Sequence, residues 1–324
     1  MRDKYVYVKV RQDEETPLQR LKGPFYGRFA YARAAETKAL GDKGQDYLTF
    51  AQTADSFIFA ICDGVSLSFY GDLAARFLGD TLLDWLSSPV LERIVDQQKL
   101  RKNLYEHLQK LTVPASHFIR SYNLPPTVTG LLRDVLEEKR ERGSESTFIC
   151  GRVDLPSKKF AEGRIILAWH GDSRLRIWEG ERERTAMLGS TFLTSQRWST
   201  HRGPIGGMPS LFVAGLQPAA ISRLLVYTDG LAQLDDRTGP PDDRELQRLI
   251  DAAGQQTYSD DIALLELSWG GAPKQPKSQP VRLLWPVRRT FRQGLSKLLH
   301  GLIGLTEAML HALHRLERYL RRLP

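Results

Sequence analysis

The sequence contains only two cysteines, Cys62 and Cys150, among 324 residues. Two cysteines cannot supply a disulfide framework or a zinc site made of several thiolates. Both lie in apolar runs, FIFAICDG and STFICGRV, where a cysteine is most often a small buried hydrophobic residue. The scarcity of cysteine therefore excludes the small disulfide-rich scaffolds and favours a reducing compartment.

Long apolar runs are also missing. No stretch reaches the roughly 18 uninterrupted apolar residues of a membrane-spanning helix, and the opening MRDKYVYVKVRQDEE lacks the apolar core of a secretory signal. With 41% hydrophobic and 26% charged residues, the composition is close to the globular average. These features predict a cytoplasmic protein with one large domain and an appendage.

Acidic residues are scarce at the end of the chain. From residue 271 onward, eleven Lys and Arg face only Glu307 and Glu317, whereas the rest of the chain carries 35 basic and 36 acidic residues. The main body therefore lacks the positive charge that dominates nucleic-acid binding. No nucleic-acid partner is expected for it.

Composition divides the chain into four segments. Residues 1–24 are predicted to form an N-terminal extension, 25–269 the main domain, 270–289 a linker rich in Pro and Lys, and 290–324 a basic amphipathic helix. In that helix, apolar residues recur every three or four positions. Three surfaces are open for its apolar face: an anionic membrane on the inner side of the cell envelope, a partner helix, or the domain itself.

Seven apolar runs in the main domain are predicted to be β-strands, because they are rich in β-branched and aromatic residues and end at Gly, Asp or Ser. They span residues 46–52, 56–62, 146–153, 163–169, 174–178, 222–228 and 261–269. Helical periodicity predicts helices over 72–86, with Asp72 as N-cap, and over 243–253. Two further helices are predicted within 91–141, separated by PASHFIRSYNLPP (114–126). Many strands with few helices favour an α+β layered sandwich.

Aspartates stand at the ends of these predicted strands. Asp63, Asp172 and Asp229 follow strands, Asp260 precedes the last one, and Asp46 opens the first. A single Asp-Gly after a strand is most often a turn, so the prediction depends on the whole set. Carboxylates that converge without basic partners repel one another, and a divalent cation relieves that repulsion. Ligands that are all oxygens indicate Mg²⁺ or Mn²⁺ rather than zinc.

Six short motifs follow one another between Phe25 and Trp269. They are QDY at 45–47, FAICDG ending at Gly64, Ser146-Thr147, HGDSRLRIW, LLVYTDGL and SDDIALLEL. Their order resembles that of the metal-dependent serine/threonine protein phosphatases of type 2C, in particular the divergent bacterial branch. The resemblance implies a four-layer α-β-β-α sandwich, in which helices flank two antiparallel sheets and a two-metal centre lies at one edge.

The resemblance also implies roles for individual residues. Two Mn²⁺ or Mg²⁺ ions, with the option of a third, would be held by Asp63, the Gly64 carbonyl, Asp229, Asp260 and Asp172. Asp63 would bridge the two ions, and Asp46 would orient the attacking water. Asp261 is an alternative to Asp260, because sequence does not show which of two adjacent carboxylates points inward.

The implied reaction is hydrolysis of phosphoserine or phosphothreonine in a protein, by water activated between two metal ions. A phosphorylated protein would be the substrate, and a cognate Ser/Thr kinase would act in the same pathway. The sequence offers no P-loop, no Gly-x-Ser-x-Gly elbow and no cysteine beside an anion-binding loop. A small phosphorylated metabolite is a further substrate class that fold resemblance leaves open.

Three positions depart from the family's pattern. Gln45 stands where many members carry a glutamate, Gly41 where many carry a phosphate-binding arginine, and Val65 where some carry a histidine. An amide supplies no charge, so a metal ion there should bind more weakly. These departures support an alternative reading, a catalytically weakened phosphatase fold that binds or regulates a phosphoprotein.

Candidates to replace the missing arginine are Lys43, Lys38 and Arg33. Arg197, in the basic segment RWSTHRGPIGG, is a further candidate for contact with substrate. His170 precedes Gly171 and Asp172 and is interpreted as a packing residue at a strand end, because strand-end histidines more often pack than ligate.

Overall fold

The computed structural model describes residues 5–21, 23–94, 96–255 and 259–270. The predicted C-terminal helix and nearly all of the linker lie outside these residues. The strands are β1 (Val6–Lys9), β2 (Thr16–Leu21), β3 (Tyr26–Ala32), β4 (Tyr47–Gln52), β5 (Ser56–Gly64), β6 (Glu145–Asp154), β7 (Arg164–His170), β8 (Arg174–Glu179), β9 (Arg182–Glu183), β10 (Arg197–Ser199), β11 (Gly203–Ile205), β12 (Ser210–Ala214), β13 (Arg223–Tyr227) and β14 (Ile262–Ser268).

The helices lie mainly between β5 and β6 and around β13. They are α1 (Ala35–Leu40), α2 (Gly71–Ser87), α3 (Pro89–Arg93), α4 (Gln97–Lys110), α5 (Thr112–Arg120), α6 (Gly130–Arg142), α7 (Leu216–Ala219) and α8 (Asp243–Ala253), with short 3₁₀ helices at Thr185–Leu188 and Asp229–Leu234. No helix in the described part of the chain is both long enough and apolar enough to cross a membrane.

Two antiparallel sheets organise the described residues. The first has the order β1-β4-β5-β6-β10-β11, and β7 joins it by pairing with both β6 and β12. The second has the order β2-β3-β14-β13-β8-β9. All seven strands predicted from apolar runs are present, and the predicted α+β sandwich of two antiparallel sheets is confirmed. The short or polar strands, such as β2 and β9, carried no apolar signal and were not predicted.

The apolar residues of the second sheet alternate between two cores. Leu224 and Val226 of β13 belong to the core that the two sheets share, whereas Leu225 and Tyr227 face a second core. That second core includes Leu246 of α8. A strand that is buried on both faces reads as a continuous apolar run, which explains LLVY. The sheets are therefore covered on both sides, as a four-layer sandwich requires.

Helix α2 packs against β4, β5 and β6, but it begins differently from the prediction. Asp72 is not the N-cap; the helix starts at Gly71, and the preceding Tyr70 is left-handed, with φ 43°. Gly71 lies in close backbone contact with the end of β5, since a Cβ on Gly71 would lie 2.7 Å from the carbonyl carbon of Gly64. The chain therefore enters α2 through a backbone conformation that costs a tyrosine about 1–2 kcal/mol.

The prediction that residues 114–126 separate two helices was wrong for the first half of that segment. Residues Pro114–Arg120 belong to helix α5, and the non-helical segment is confined to 121–129. Pro114 is the third residue of α5, where its missing N–H would have no acceptor within the helix. A proline in the first turn is therefore tolerated.

The described residues fall into two compact units. The main unit comprises the described residues up to 123 and from 139 onward, and residues 124–138 belong to a second unit. That stretch holds most of α6, with Arg133 and Glu137 paired at 3.7 Å one turn apart. Both sheets belong to the main unit.

A buried ion-pair cluster closes the end of the first sheet where β6 ends. Arg152 donates to Asp154 at 2.8 Å, and Arg164 donates to the same carboxylate at 3.1 Å. Asp154 is only 3% exposed. Removing one partner of such a group leaves an uncompensated buried charge, which is strongly destabilising.

We expect Asp154→Asn to lower the free energy of unfolding by about 3–5 kcal/mol, because two guanidinium groups lose their shared carboxylate. Urea titration followed by circular dichroism would measure this. Glu181→Ala, at an exposed position, is the control and should change stability by less than about 0.5 kcal/mol. Equal stabilities for the two variants would contradict the role assigned to Asp154.

Candidate metal centre

The predicted aspartates lie near one another at one end of the sandwich. Asp63 is the penultimate residue of β5. Burial, followed by repulsion from Asp46, Asp229, Asp260 and Asp172 in that order, raises its pKa well above the ordinary value. Charges influence a pKa in this way only when they are close. Each of the other four carboxylates is therefore close enough to Asp63 to affect its pKa, and these five residues are called the acid cluster below.

Asp46 is the most deeply buried member of the acid cluster, at 2% exposure. Burial, followed by repulsion from Asp261, raises its pKa well above the ordinary value, and a hydrogen bond from Thr228 opposes that rise. The Thr228 hydroxyl donates to the Asp46 carboxylate at 2.5 Å. Thr228 follows β13 of the second sheet and Asp46 precedes β4 of the first, so this bond between the sheets fixes the orientation of the Asp46 carboxylate.

The adjacent residues Asp260 and Asp261 have different surroundings. Asp261 is 4% exposed and accepts from the backbone N–H of Ala34 at 2.7 Å and of Gln45 at 2.5 Å. Asp260 is exposed, and its charge is among those that raise the pKa of Asp63. Asp261 therefore secures the loop before β4, and Asp260 remains the proposed ligand of the pair.

Gly64 lies against the backbone of two other segments, the start of α2 and the loop before β4. A Cβ on Gly64 would lie 2.4 Å from the Gly71 carbonyl carbon and 2.8 Å from the Gln45 carbonyl oxygen, so only glycine fits. The side-chain Oε1 of Gln45 is buried and has no hydrogen-bond donor among the described residues. An amide oxygen buried without a donor is available to a cation.

The basic residues predicted to bind substrate differ in their partners and in their exposure. Arg33 donates to Glu15 at 2.9 Å, and Arg197 is paired with the buried Glu145. Lys43 is exposed. Its positive charge opposes the burial that raises the pKa of Asp72 to about 6.

Two other predicted positions have structural roles. Gly41 ends α1 in the left-handed conformation, with φ 70°, a position at which glycine is preferred. His170 is fully buried beside Phe148, at 6.0 Å between ring centroids. Burial lowers the pKa of His170, so the ring is neutral at pH 7 and suits packing.

Several residues around the acid cluster were missed by the sequence reasoning. Thr228 stands directly before Asp229, at the end of an apolar strand, and that position was the available signal. The Gln12 side chain donates to the Gly44 carbonyl, and the Ala34 backbone N–H donates to the Asp261 carboxylate. Bonds in which one partner is a backbone group leave no side-chain motif. Tyr70 has an unusual backbone conformation, with φ 43°, that no local sequence motif marks.

The donors fit a hard divalent cation in their chemistry. Within residues 5–21, 23–94, 96–255 and 259–270, no three His, Cys, Asp or Glu side chains converge closely enough to hold a metal ion. The donors are nevertheless carboxylates together with the Gln45 amide oxygen, which suits Mg²⁺ or Mn²⁺. A cation would also reverse the repulsion that raises the pKa values of Asp46 and Asp63.

Neither a protein-family model nor a curated protein sequence matches this chain. Solved structures similar to it include the serine/threonine phosphatase of S. agalactiae, with 15% identity, 82% of this chain and 100% of that chain covered, and a TM-score of 0.46. The serine/threonine phosphatase Stp1 of Staphylococcus aureus shares 14% identity over 84% of this chain and 96% of its own, with a TM-score of 0.44.

A third similar structure is the PPM Ser-Thr phosphatase MsPP of Mycobacterium smegmatis in complex with cacodylate. It shares 16% identity over 82% of this chain and 98% of its own, with a TM-score of 0.39. Identity and TM-score are low in all three cases. The proposals below therefore rest on the residues of this chain.

We expect Asp63→Asn to stabilise the metal-free protein at pH 7. Because the folded pKa of Asp63 is raised, its ionised form costs the folded state free energy above the unfolded pKa of about 4. The melting temperature should rise by roughly 2–4 °C per kcal/mol of repulsion relieved, and the gain should vanish as the pH falls towards 4.

Thermal melts in EDTA between pH 4 and 8 would measure this effect. The control is Asp236→Asn, because Asp236 is exposed in the loop before α8 and outside the acid cluster. A melting temperature for Asp63→Asn below that of the wild type at pH 7 would contradict the proposed repulsion.

Proposed function

We propose that the protein hydrolyses phosphoserine or phosphothreonine in protein substrates and depends on Mn²⁺ or Mg²⁺. The observation that supports this most directly is the pKa of Asp63, which burial and four neighbouring aspartates raise together. Proteins rarely keep such a repulsive cluster without a function. The order of the motifs around these residues supports the phosphatase reading.

Each proposed metal-holding group comes from the end of a strand or from the turn beside it. The groups are the carboxylates of Asp63, Asp229, Asp260 and Asp172 and the carbonyl of Gly64. A bound pair of divalent cations supplies charge to the phosphoryl oxygens and lowers the pKa of water, so that no protein nucleophile is needed. The role of these residues is to hold that charge in place.

The proposed role of Asp46 is to orient the attacking water. The Thr228 hydroxyl donates to its carboxylate at 2.5 Å, which limits the orientations that the carboxylate can offer to a water molecule. Lys43 is the proposed attractor for the substrate phosphate, because it is exposed whereas Arg33 and Arg197 are already paired with carboxylates.

A second candidate function is phosphoprotein binding without turnover. Three observations favour it: Gln45 supplies an amide where a charge is common, Gly41 has a backbone role, and Arg33 is paired with Glu15. In this reading the protein would recognise a phosphoprotein or regulate a kinase pathway. Metal binding without phosphate release would distinguish it from the enzyme.

We expect the wild type to release phosphate from a phosphothreonine peptide and from p-nitrophenyl phosphate only when Mn²⁺ or Mg²⁺ is present. Asp63→Asn and Asp229→Asn should each lower kcat by at least about 100-fold, because each removes a charge that holds the metal ions. Asp236→Asn, a substitution of the same type in an exposed loop, should retain wild-type kcat.

Phosphate release would be measured with a colorimetric assay across both metals. If the wild type binds Mn²⁺ in calorimetry but releases no phosphate from either substrate, the hydrolase proposal fails and the binding function is favoured. Full activity in EDTA would contradict the metal requirement.

A further inference from the structure

Gln12 lies in the segment between β1 and β2, outside the 25–269 segment that carries the motifs, yet its side chain reaches the proposed metal centre. It is 6% exposed, and its amide nitrogen donates to the carbonyl oxygens of Gly44 at 3.2 Å, Asp46 at 3.3 Å and Asp72 at 3.2 Å. The amide has two N–H protons, so at least one of them is shared between two of the three carbonyls. Replacing it with a group that cannot donate would leave those carbonyls without this partner.

The backbone of Gln12 holds the same loop from a second direction. The Gly44 N–H donates to the Gln12 carbonyl at 2.8 Å, and the Tyr31 hydroxyl donates to that carbonyl at 3.3 Å. A Cβ on Gly44 would lie 2.0 Å from the Tyr31 hydroxyl. The loop is thus packed against Gln12 with no room for a side chain at Gly44.

The three acceptors of Gln12 belong to two segments that border the acid cluster. Gly44 and Asp46 lie in the loop that carries the Asp46 carboxylate. Asp72 lies in the first turn of α2, next to Gly71, whose backbone is in contact with Gly64. Gln12 therefore connects the loop of Asp46 to the helix start that packs against the end of β5.

We propose that Gln12 is a positioning residue, which sets the distance between the Asp46 loop and the Gly64 end of β5 and so the metal affinity of the acid cluster. This proposal rests on the proposed function. Partners that orient metal-binding groups typically contribute 10–100-fold to metal affinity or activity. The segment before residue 25 is then part of the working centre.

The test compares Mn²⁺ binding by full-length variants in calorimetry, each at a temperature below its own melting point. Gln12→Met keeps the length of the side chain but removes the donor, and it should weaken Mn²⁺ binding by about 10–100-fold. Gln19→Met makes the same change at an exposed position of β2 and should bind like the wild type. Asp154→Asn, at the far end of β6, is a destabilised control that should also retain affinity.

A second readout separates positioning from folding. In the phosphatase assay, Gln12→Met should lower kcat with little change in KM, because Lys43 and the other exposed groups are untouched. If Gln12→Met does not fold, the proposal is tested with Tyr31→Phe. This variant removes one donor to the Gln12 carbonyl and should weaken Mn²⁺ binding by several-fold.

If Gln12→Met folds and binds Mn²⁺ as tightly as the wild type, the positioning role is overturned and the proposed function stays intact. If Gln12→Met does not fold, wild-type Mn²⁺ affinity in Tyr31→Phe has the same meaning. Equal loss of affinity in Gln12→Met and Asp154→Asn would also overturn it, since general destabilisation would then be the cause. A wild-type protein that binds neither Mn²⁺ nor Mg²⁺ would overturn both proposals, and that result is distinct from the other two.

Discussion

The repulsion among the carboxylates of the acid cluster is the constraint on which the proposed site depends. Asp46 and Asp63 have raised pKa values because burial removes water and the neighbouring aspartates add like charge. Hydrophobic packing of two sheets does not require this arrangement, and a more stable fold would avoid it. The cost is consistent with a site that is completed by positive charge, and it links the stability of the protein to its proposed chemistry.

Backbone contacts hold together the segments that border the acid cluster. Asp261 accepts from two backbone N–H groups of different segments, Gln12 donates to three carbonyls, and Gly64 touches Gly71 with no space for a Cβ. Backbone groups are fixed by the sheets and by α2, so they orient the carboxylates with little freedom. The left-handed Tyr70 belongs to the same arrangement, because it delivers Gly71 to that contact.

Some positions at which the sequence departs from the family pattern have visible roles in the structure, and these roles bear on both proposed functions. Gly41 ends a helix in a conformation that favours glycine, so an arginine there would strain the turn. Arg33 and Arg197 are engaged by Glu15 and Glu145, which leaves Lys43 as the exposed candidate for a substrate anion. Under the proposed function, the departures from the family pattern therefore concern the contact with phosphate more than the set of aspartates.

The sequence by itself determined the seven apolar strands, helices α2 and α8, and the order of aspartates at strand ends, because periodicity and strand-end position are local properties. Only the tertiary structure decided that Asp261 holds the loop while Asp260 is exposed, that Thr228 fixes Asp46, that Pro114 lies within a helix, and that Gln12 borders the acid cluster. Those outcomes depend on contacts between residues far apart in the chain and often on backbone groups. Backbone groups are chemically alike in nearly every residue, and a sequence pattern cannot reveal their partners.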